Sequence, residues 1–323
     1  MDDPGKIRGE AAWLDGQFES RDAFAVAAGD AGFVMGVTVT EQLRTFRGRL
    51  FEPQAHGRRL SASLALIGLA PRCPVAAMLA AAERLASHNH ALLTAGGAAG
   101  PPGDLGLVIF VTAGDLAAQH GGRSGPPRAG IHTFPLAFPL WASGYESGVA
   151  LRNVSIRQVP EACWPLAAKV RSRLHYFLAD REAAAAEPGS RAVLAHADGR
   201  ISETSTANIA LVRAGGIRVP PPADALAGVT LARTRDLAER LGIPWEERSC
   251  SAADLAAADE ILLTSTPSCV LPATRLDGRP VGDGRPGPVF RRLLSAWNEL
   301  AGIDIAAQAR HHASLTPAPE SAS

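Results

Sequence analysis

Apolar and polar positions along this 323-residue chain fall into distinct local patterns, each of which predicts an element. Residues 105–112 form a nearly continuous apolar run and predict a buried strand. Residues 13–18 carry an Asp-Gly pair at their centre and predict a short hairpin. A turn-rich lead from Asp30 to Gly36 runs into Val37-Thr38-Val39-Thr40, a β-prone stretch. Arg47-Gly48 predicts a turn to Leu50-Phe51. Pro53 then opens a helix whose Leu60, Leu64 and Ile67 recur at helical spacing. Alanine-rich residues 74–88 predict a second helix and residues 131–138 a further strand, with Gly/Pro loops at 94–104 and 120–130.

The second half changes texture. Residues 149–151 predict a strand, and a helix follows that ends near Ala186. Strands at 191–195, 207–213 and 217–219 are punctuated by Asp198-Gly199 and Gly215-Gly216 turns. Gly228 precedes an amphipathic helix with Leu231, Leu237 and Leu241, stopped at Ile243-Pro244. Residues 260–265 predict a strand and 288–300 a final helix. Strands occur in hairpins as well as beside helices, so the class expected is α+β with mixed, hairpin-rich sheets. The division expected is a frayed tail at 1–10, a smaller α/β domain at 11–140 and a connection at 141–148. A larger α/β domain at 149–302 would carry the segment around Lys169, and 303–323 would be disordered.

Composition narrows the function classes. Apolar residues make up 46% and charged residues 20%, net charge is zero and the pI is about 7.1. Nothing in that balance recommends a nucleic-acid or anionic-membrane partner. The four cysteines form no Cys-x-x-Cys pair and the nine histidines no His-Glu-x-x-His, so neither a metal site nor a disulfide scaffold is expected. That usage fits a reducing cytoplasm. The start is acidic without an apolar core, which is not a signal peptide, and no apolar run approaches the ~20 residues of a bilayer span. No G-x-G-x-x-G or G-x-x-x-x-G-K-[ST] stands between a strand and a helix, which argues against a Rossmann site or a P-loop.

Positive charge is carried almost wholly by arginine: of 32 basic residues only Lys6 and Lys169 are lysines. Lys6 lies in a polar tail. Lys169 lies mid-chain behind the apolar run Trp164-Pro165-Leu166-Ala167-Ala168, where a primary amine can become a nucleophile and an arginine cannot. A surface ion pair is the competing reading. If Lys169 is a Schiff-base amine, the chain should offer a phosphate clamp and a partner for a pyridine nitrogen. Leu226-Ala227-Gly228-Val229-Thr230 is a helix start suited to a phosphate, although many helices begin this way with no ligand. Arg59, one turn after His56, can clamp a phosphate or lie on the surface. Glu203 can hold a pyridine nitrogen protonated or stand as an exposed strand-end acid.

In order, the chain carries Asp30-x-Gly32…Gly36, His56-x-x-Arg59-Leu60-x-x-Ser63, Lys169, Leu178-Ala179-x-x-Glu182-Ala183, Gly199-x-x-x-Glu203-x-x-x-x-Asn208, Leu226-x-Gly228-Val229-Thr230, residues 260–266 and Leu276-Asp277-Gly278. Across about residues 13–300 this series resembles the class-IV (fold-type IV) pyridoxal-phosphate enzymes. These include branched-chain and D-amino-acid aminotransferases and 4-amino-4-deoxychorismate lyase. The resemblance implies Lys169 as the cofactor-linked lysine, Arg59 as phosphate ligand, Glu203 as pyridine-nitrogen partner and Leu226 against the ring. Gly228, Val229, Thr230 and Thr266 would complete the phosphate cup.

Departures fall on the substrate side. The family's Tyr-Gly-Asp-Gly-Val-Phe-Glu is here Met35-Gly36-Val37-Thr38-Val39-Thr40-Glu41. Ala113 stands where relatives often place an arginine, and Val108 and Phe110 replace a Tyr-x-Arg of bacterial branched-chain enzymes. Lys-x-x-Ser spacing is closer to the lyase and D-amino-acid branches. Candidate substrate contacts are Met35, Thr40, Phe110, Tyr176 and Ser265, and the carboxylate-binding group is left open. The expected activity is amino transfer between an amino acid, of branched-chain or D-amino-acid type, and a 2-oxo acid, by a homodimer using pyridoxal 5'-phosphate. A pyruvate-releasing lyase and a non-catalytic binding protein on the same fold are the alternatives.

Overall fold

The structure, a computed structural model, describes residues 3–94 and 103–315. The chain divides into two units. The first comprises residues 3–94, 103–136 and 161–174. Its elements are β1 (Ala11–Leu14), β2 (Gln17–Ser20), the helical turn α1 (Ala31–Val34), β3 (Thr38–Phe46), β4 (Arg49–Leu50), α2 (Pro53–Ile67), α3 (Val75–Thr94), β5 (Leu105–Thr112) and β6 (Arg128–Pro135). The strands form one antiparallel sheet in the order β2-β1-β6-β5-β3-β4. Two of its hairpins turn on pairs with positive φ, Asp15 (47°) with Gly16 (106°) and Arg47 (52°) with Gly48 (76°). Such pairs give the turn twist that matches twisted strands.

One face of this sheet packs on the two long helices, with Trp13, Val39, Leu43, Ile109 and Ile131 meeting Leu60, Leu64, Met78 and Leu85. The opposite face carries Phe24, Phe110, His132 and Phe134 in tilted and edge contacts. Glycines make room there: a Cβ at Gly106 would lie 2.1 Å from the Phe134 ring, and one at Gly130 would lie 2.4 Å from that of Phe110.

The lysine segment, expected with the C-terminal half, belongs to this first unit. Its backbone is the reason: the Thr40 amide donates to the Lys169 carbonyl at 2.9 Å and the Arg171 amide to the Thr38 carbonyl at 2.9 Å. Val170 bridges to Val39, so residues 169–171 act as a short extra strand on β3. The start of the chain is also tied down rather than frayed from residue 3 onward. Pro4–Lys6 form a 3-10 turn with Pro4 buried, and Ile7 packs on the core.

The second unit comprises, among the described residues, 137–160 and 175–315. It contains α4 (Gly144–Ser147), β7 (Val149–Arg157), α5 (Leu174–Ala186), β8 (Arg191–Ala195), β9 (Ile201–Thr204), β10 (Asn208–Arg213), β11 (Gly216–Val219) and α6 (Val229–Arg240). These are followed by β12 (Trp245–Glu247), α7 (Ala252–Ala256), β13 (Glu260–Ser265), β14 (Cys269–Leu276), β15 (Arg279–Pro280), α8 (Pro288–Ala301) and α9 (Ile305–Leu315). Six strands run in the order β10-β13-β14-β7-β8-β9, and β9 pairs back to β10 through Glu203 and Asn208. The sheet therefore closes on itself, with β11 and β12 continuing from β10 and β15 attached to β14. The β14–β7 and β7–β8 pairs are parallel, and the remaining pairs of the ring are antiparallel. Helix α5 covers β7 and β8 through Ala179 and Ala183 against Val154, Ala192 and Leu194.

Two expectations fail here. Residues 305–315 are helical, not a disordered tail: Ile305, Ala306, Gln308 and Ala309 are buried, and the His312 ring stacks on Phe138 at 5.2 Å. Half of the stripe is alanine, which adds little to an apolar count yet packs closely. Residues 141–148 do not connect the units either, but lie within the second one. Tyr145 in α4 is buried and donates its hydroxyl to the Ser268 carbonyl at 2.7 Å. The expected loop at 94–104 and the end of the expected tail fall on 95–102 and 316–323, outside the described residues.

Candidate active site

In the first unit the site begins with a carboxylate among apolar neighbours. Strand alternation sends Val39, Glu41 and Leu43 of β3 toward the helices, and Glu41 is only 1% exposed. A buried charge needs partners. Helix α2 provides two, three residues apart and so on one face. Arg59 grips Glu41 side-on, Nε to Oε1 at 2.8 Å and Nη2 to Oε2 at 2.8 Å, and His56 Nδ1 meets Oε2 at 2.7 Å. Burial by itself would raise the Glu41 pKa, but the Arg59 guanidinium and then His56 hold it at about 2. The His56 pKa is lowered: burial outweighs the pull of Glu41, and the cations Arg59 and Lys169 add to the effect. A neutral His56 donates Nδ1–H to Glu41, while its buried Nε2 has no hydrogen-bond partner among the described residues.

One turn beyond Arg59 on the same helix, Ser63 accepts the Lys169 amide through Oγ at 3.1 Å. Ser172 Oγ donates to the Gly36 carbonyl at 2.9 Å, fixing the other end of the segment. Thus one face of α2 carries the clamp on Glu41 and a backbone anchor for the lysine. In the sequence, Glu41, His56 and Ser63 stand in the motif series without a role of their own. The signal that could have found them is the i, i+3, i+7 spacing of His56, Arg59 and Ser63.

In the second unit the closure of the ring places Glu203 opposite Asn208. Tyr176 on α5 donates its hydroxyl to Glu203 Oε1 at 2.7 Å, and Asn208 Nδ2 donates to Oε2 at 3.2 Å. Gln158 Nε2 supports both layers, reaching the Tyr176 hydroxyl at 3.2 Å and Ser202 Oγ at 3.0 Å. Glu203 is thus a buried, oriented acceptor and not an exposed strand-end acid. Asn208 Nδ2 also donates to the Leu226 carbonyl at 2.8 Å, which ties the strand to the loop before α6. At the start of α6, Gly228 is an N-cap residue with no side-chain cap for the helix amides. Thr230 Oγ1 lies 3.4 Å from Thr266 Oγ1. Amides, a helix dipole and two hydroxyls fit an oxyanion such as a phosphate.

Gly228 cannot be enlarged cheaply, because a Cβ would lie 2.0 Å from Asn208 Oδ1. Gly228→Ala is expected to push Asn208 off Glu203 and to lower the melting temperature by about 2–4 °C for a loss of ~1 kcal/mol in a unit of this size. A melt unchanged from that of the parent would contradict this.

The candidate substrate contacts divide between the units. Met35 is 60% exposed at the end of α1, Thr40 donates its hydroxyl to the Ile109 carbonyl at 3.2 Å, and Phe110 packs on Phe24. Ser265 Oγ pairs with Ser268 Oγ at 2.8 Å. Tyr176, another candidate, donates its hydroxyl to Glu203, toward which the register of α5 over β7 and β8 points it. No group of three or more His, Cys, Asp or Glu among the described residues is arranged to hold a metal ion.

The amino-transferase class IV family matches residues 38–276, a span that includes Glu41, Arg59, Lys169, Glu203 and Thr266. The chain belongs to this family. The D-alanine aminotransferase of Bacillus licheniformis is 28% identical over 286 residues, 88% of this chain and 94% of that protein. That of Staphylococcus aureus (strain COL) is 26% identical over 293 residues, 90% and 97% of the two chains. Among solved structures, the Escherichia coli branched-chain amino acid aminotransferase superposes with a TM-score of 0.79 at 23% identity, covering 91% and 95%. A branched-chain amino acid aminotransferase from T.th., solved with pyridoxamine 5'-phosphate, gives 0.78 at 21%, covering 92% and 95%. The protein is a class IV aminotransferase of the α+β fold expected for fold-type IV, and this reading prevails over the lyase and non-catalytic alternatives. No helix among the described residues is long and apolar enough to cross a membrane.

Proposed function

We propose that this class IV aminotransferase uses pyridoxal 5'-phosphate to move an amino group between a small amino acid, of the D-alanine or branched-chain type, and a 2-oxo acid. The observation that carries the reading is Lys169, a primary amine in an arginine chain, anchored at its own amide and carbonyl to α2 and β3. When bound, the cofactor supplies an electron sink for negative charge at the substrate α-carbon. Lys169 Nζ holds the cofactor and afterwards carries the proton removed from that carbon. Glu203 keeps the ring nitrogen protonated, and its two oxygens are held for this by Tyr176 and Asn208. Arg59, oriented by its two-pronged bond to Glu41, binds the phosphate. The amides of Val229 and Thr230 at the start of α6, after Gly228, and the hydroxyls of Thr230 and Thr266 bind it too, while Leu226 packs on the ring. The working form is a homodimer in the cytoplasm, a compartment that suits four cysteines none of which forms a disulfide among the described residues.

The purified protein, mixed with the cofactor, should acquire a visible absorption band that a panel of D- and L-amino acids bleaches selectively. Coupling to 2-oxo acids should then return a new amino acid, with D-alanine and branched-chain donors fastest. Release of pyruvate with no 2-oxo acid present, or a protein that stays colourless, would overturn the proposal.

A further inference from the structure

The aromatic face of the first unit's sheet holds a group of cations. The Arg171 guanidinium lies over the Phe110 ring at 5.4 Å, and that of Arg21 lies over Phe24 at 5.7 Å. Phe24 also contacts Phe110 and His132, so both cations rest on one aromatic floor. Partial desolvation, and then the cation Arg173, lower the Arg171 pKa from the usual arginine value. Arg171 and Arg21 form no ion pair with a carboxylate among the described residues. Burial first, and then Arg21 and Arg171, likewise lower the pKa of His132 and favour its neutral form.

An arginine in such company is suited to receive an anion. Stacking on a ring holds the planar fork in place and leaves its donor edges available. Its backbone is fixed as well, since the Arg171 amide is bonded to Thr38 on β3. Residues 169 and 171 flank Val170 in the strand-like segment, so Lys169 and Arg171 leave the backbone on the same side. Phe110 is the register partner of Thr40, whose amide binds the Lys169 carbonyl. Sequence spacing, register and ring contact thus bring a cation without a carboxylate partner among the described residues to the neighbourhood of the amine. On the strand end after Phe110, Ala113 contributes no charge.

We propose that Arg171, seated over Phe110 beside Arg21 and His132, receives the carboxylate of the amino-acid and 2-oxo-acid substrates. This rests on the aminotransferase reading and adds the recognition group that it lacks. Arg171 is exposed, so its replacement should not disturb folding. In Arg171→Gln, KM for both the amino acid and the 2-oxo acid should rise about thirtyfold, the scale of one charge-assisted hydrogen bond. kcat should change little, and Arg171→Lys should recover part of the loss. The visible band should be unaltered, and a primary-amine donor without a carboxylate should react as well as with the parent. Calorimetric titration with 4-methylpentanoate gives a second readout that needs no turnover: binding by the parent that Arg171→Gln loses supports the proposal. KM values within about twofold of the parent, equal carboxylate affinity in both proteins, or no binding by either would overturn it. A parent without the visible band would instead count against the cofactor assignment, so the two failures are distinguishable.

Discussion

Lys169→Ala is expected to leave a folded protein with neither visible band nor turnover. The segment is held by main-chain groups, the Lys169 amide on Ser63 and its carbonyl under the Thr40 amide, and alanine keeps both. The Val39–Val170 bridge does not involve the side chain either. What alanine removes is the amine proposed to hold the cofactor and to move the α-proton. The rate should therefore fall by more than about 10⁴-fold, the upper range for a lost acid–base group. Circular dichroism and a thermal melt near those of the parent, beside a colourless inactive sample, are the expected set. A variant that keeps its band and turns over would remove Lys169 from the centre of the reading.

Glu41→Ala should act on stability first and on the cofactor second. It leaves Arg59 and His56 buried against each other with no anion between them, and breaking a buried pair of this kind costs about 3–5 kcal/mol. Denaturant melts at neutral pH would read that loss, and cofactor affinity should drop because Arg59 is no longer oriented. Glu41→Gln keeps the shape without the charge and should fall between the two. The acid limb has a definite sign. The Glu41 pKa falls from 4.5 to about 2 on folding, so its contribution is fully present above the unfolded value and is lost as pH falls from 4.5 toward 2. His56, whose pKa is also lowered from 6.5 on folding, acts in the same direction: below 6.5 the unfolded chain takes up a proton that the folded chain resists. The parent should therefore lose stability in acid more steeply than Glu41→Ala. Parallel acid curves would contradict the buried triad.

Much of the fold was legible because its signals are local. Asp15-Gly16 and Arg47-Gly48 announced their hairpins, Pro53 the start of α2, and the nearly continuous apolar run the bounds of β5. What escaped depends on distant partners. Strand β14 contains Pro272 and follows a Thr-Pro-Ser turn, so its sequence reads as loop, and only β13 and β7 on either side make it a strand. Helix α9 is visible only once Phe138 is there for His312. The site divides the same way. Lys169, Arg59 and Glu203 could be proposed from chemistry and order, but that Lys169 belongs to β3 rests on hydrogen bonds to residues far earlier in the chain. The fate of Tyr176 hung on a helix register that no short window contains.

The closed ring of the second unit has a consequence for how this protein can diversify. Glu203 sits at the seam where β9 meets β10, and the turn between them is locked by the Thr204 hydroxyl, which accepts the Ala207 amide at 2.9 Å and donates to the Ala207 carbonyl at 3.0 Å. Moving this carboxylate means opening a six-stranded circuit, so its amides should rank among the slowest in hydrogen exchange. Insertions elsewhere around the ring, such as the turn at Ala214-Gly215, can lengthen without reaching it. A scaffold built this way can vary its outer loops, and with them what it admits, while the Glu203 carboxylate stays fixed at the seam.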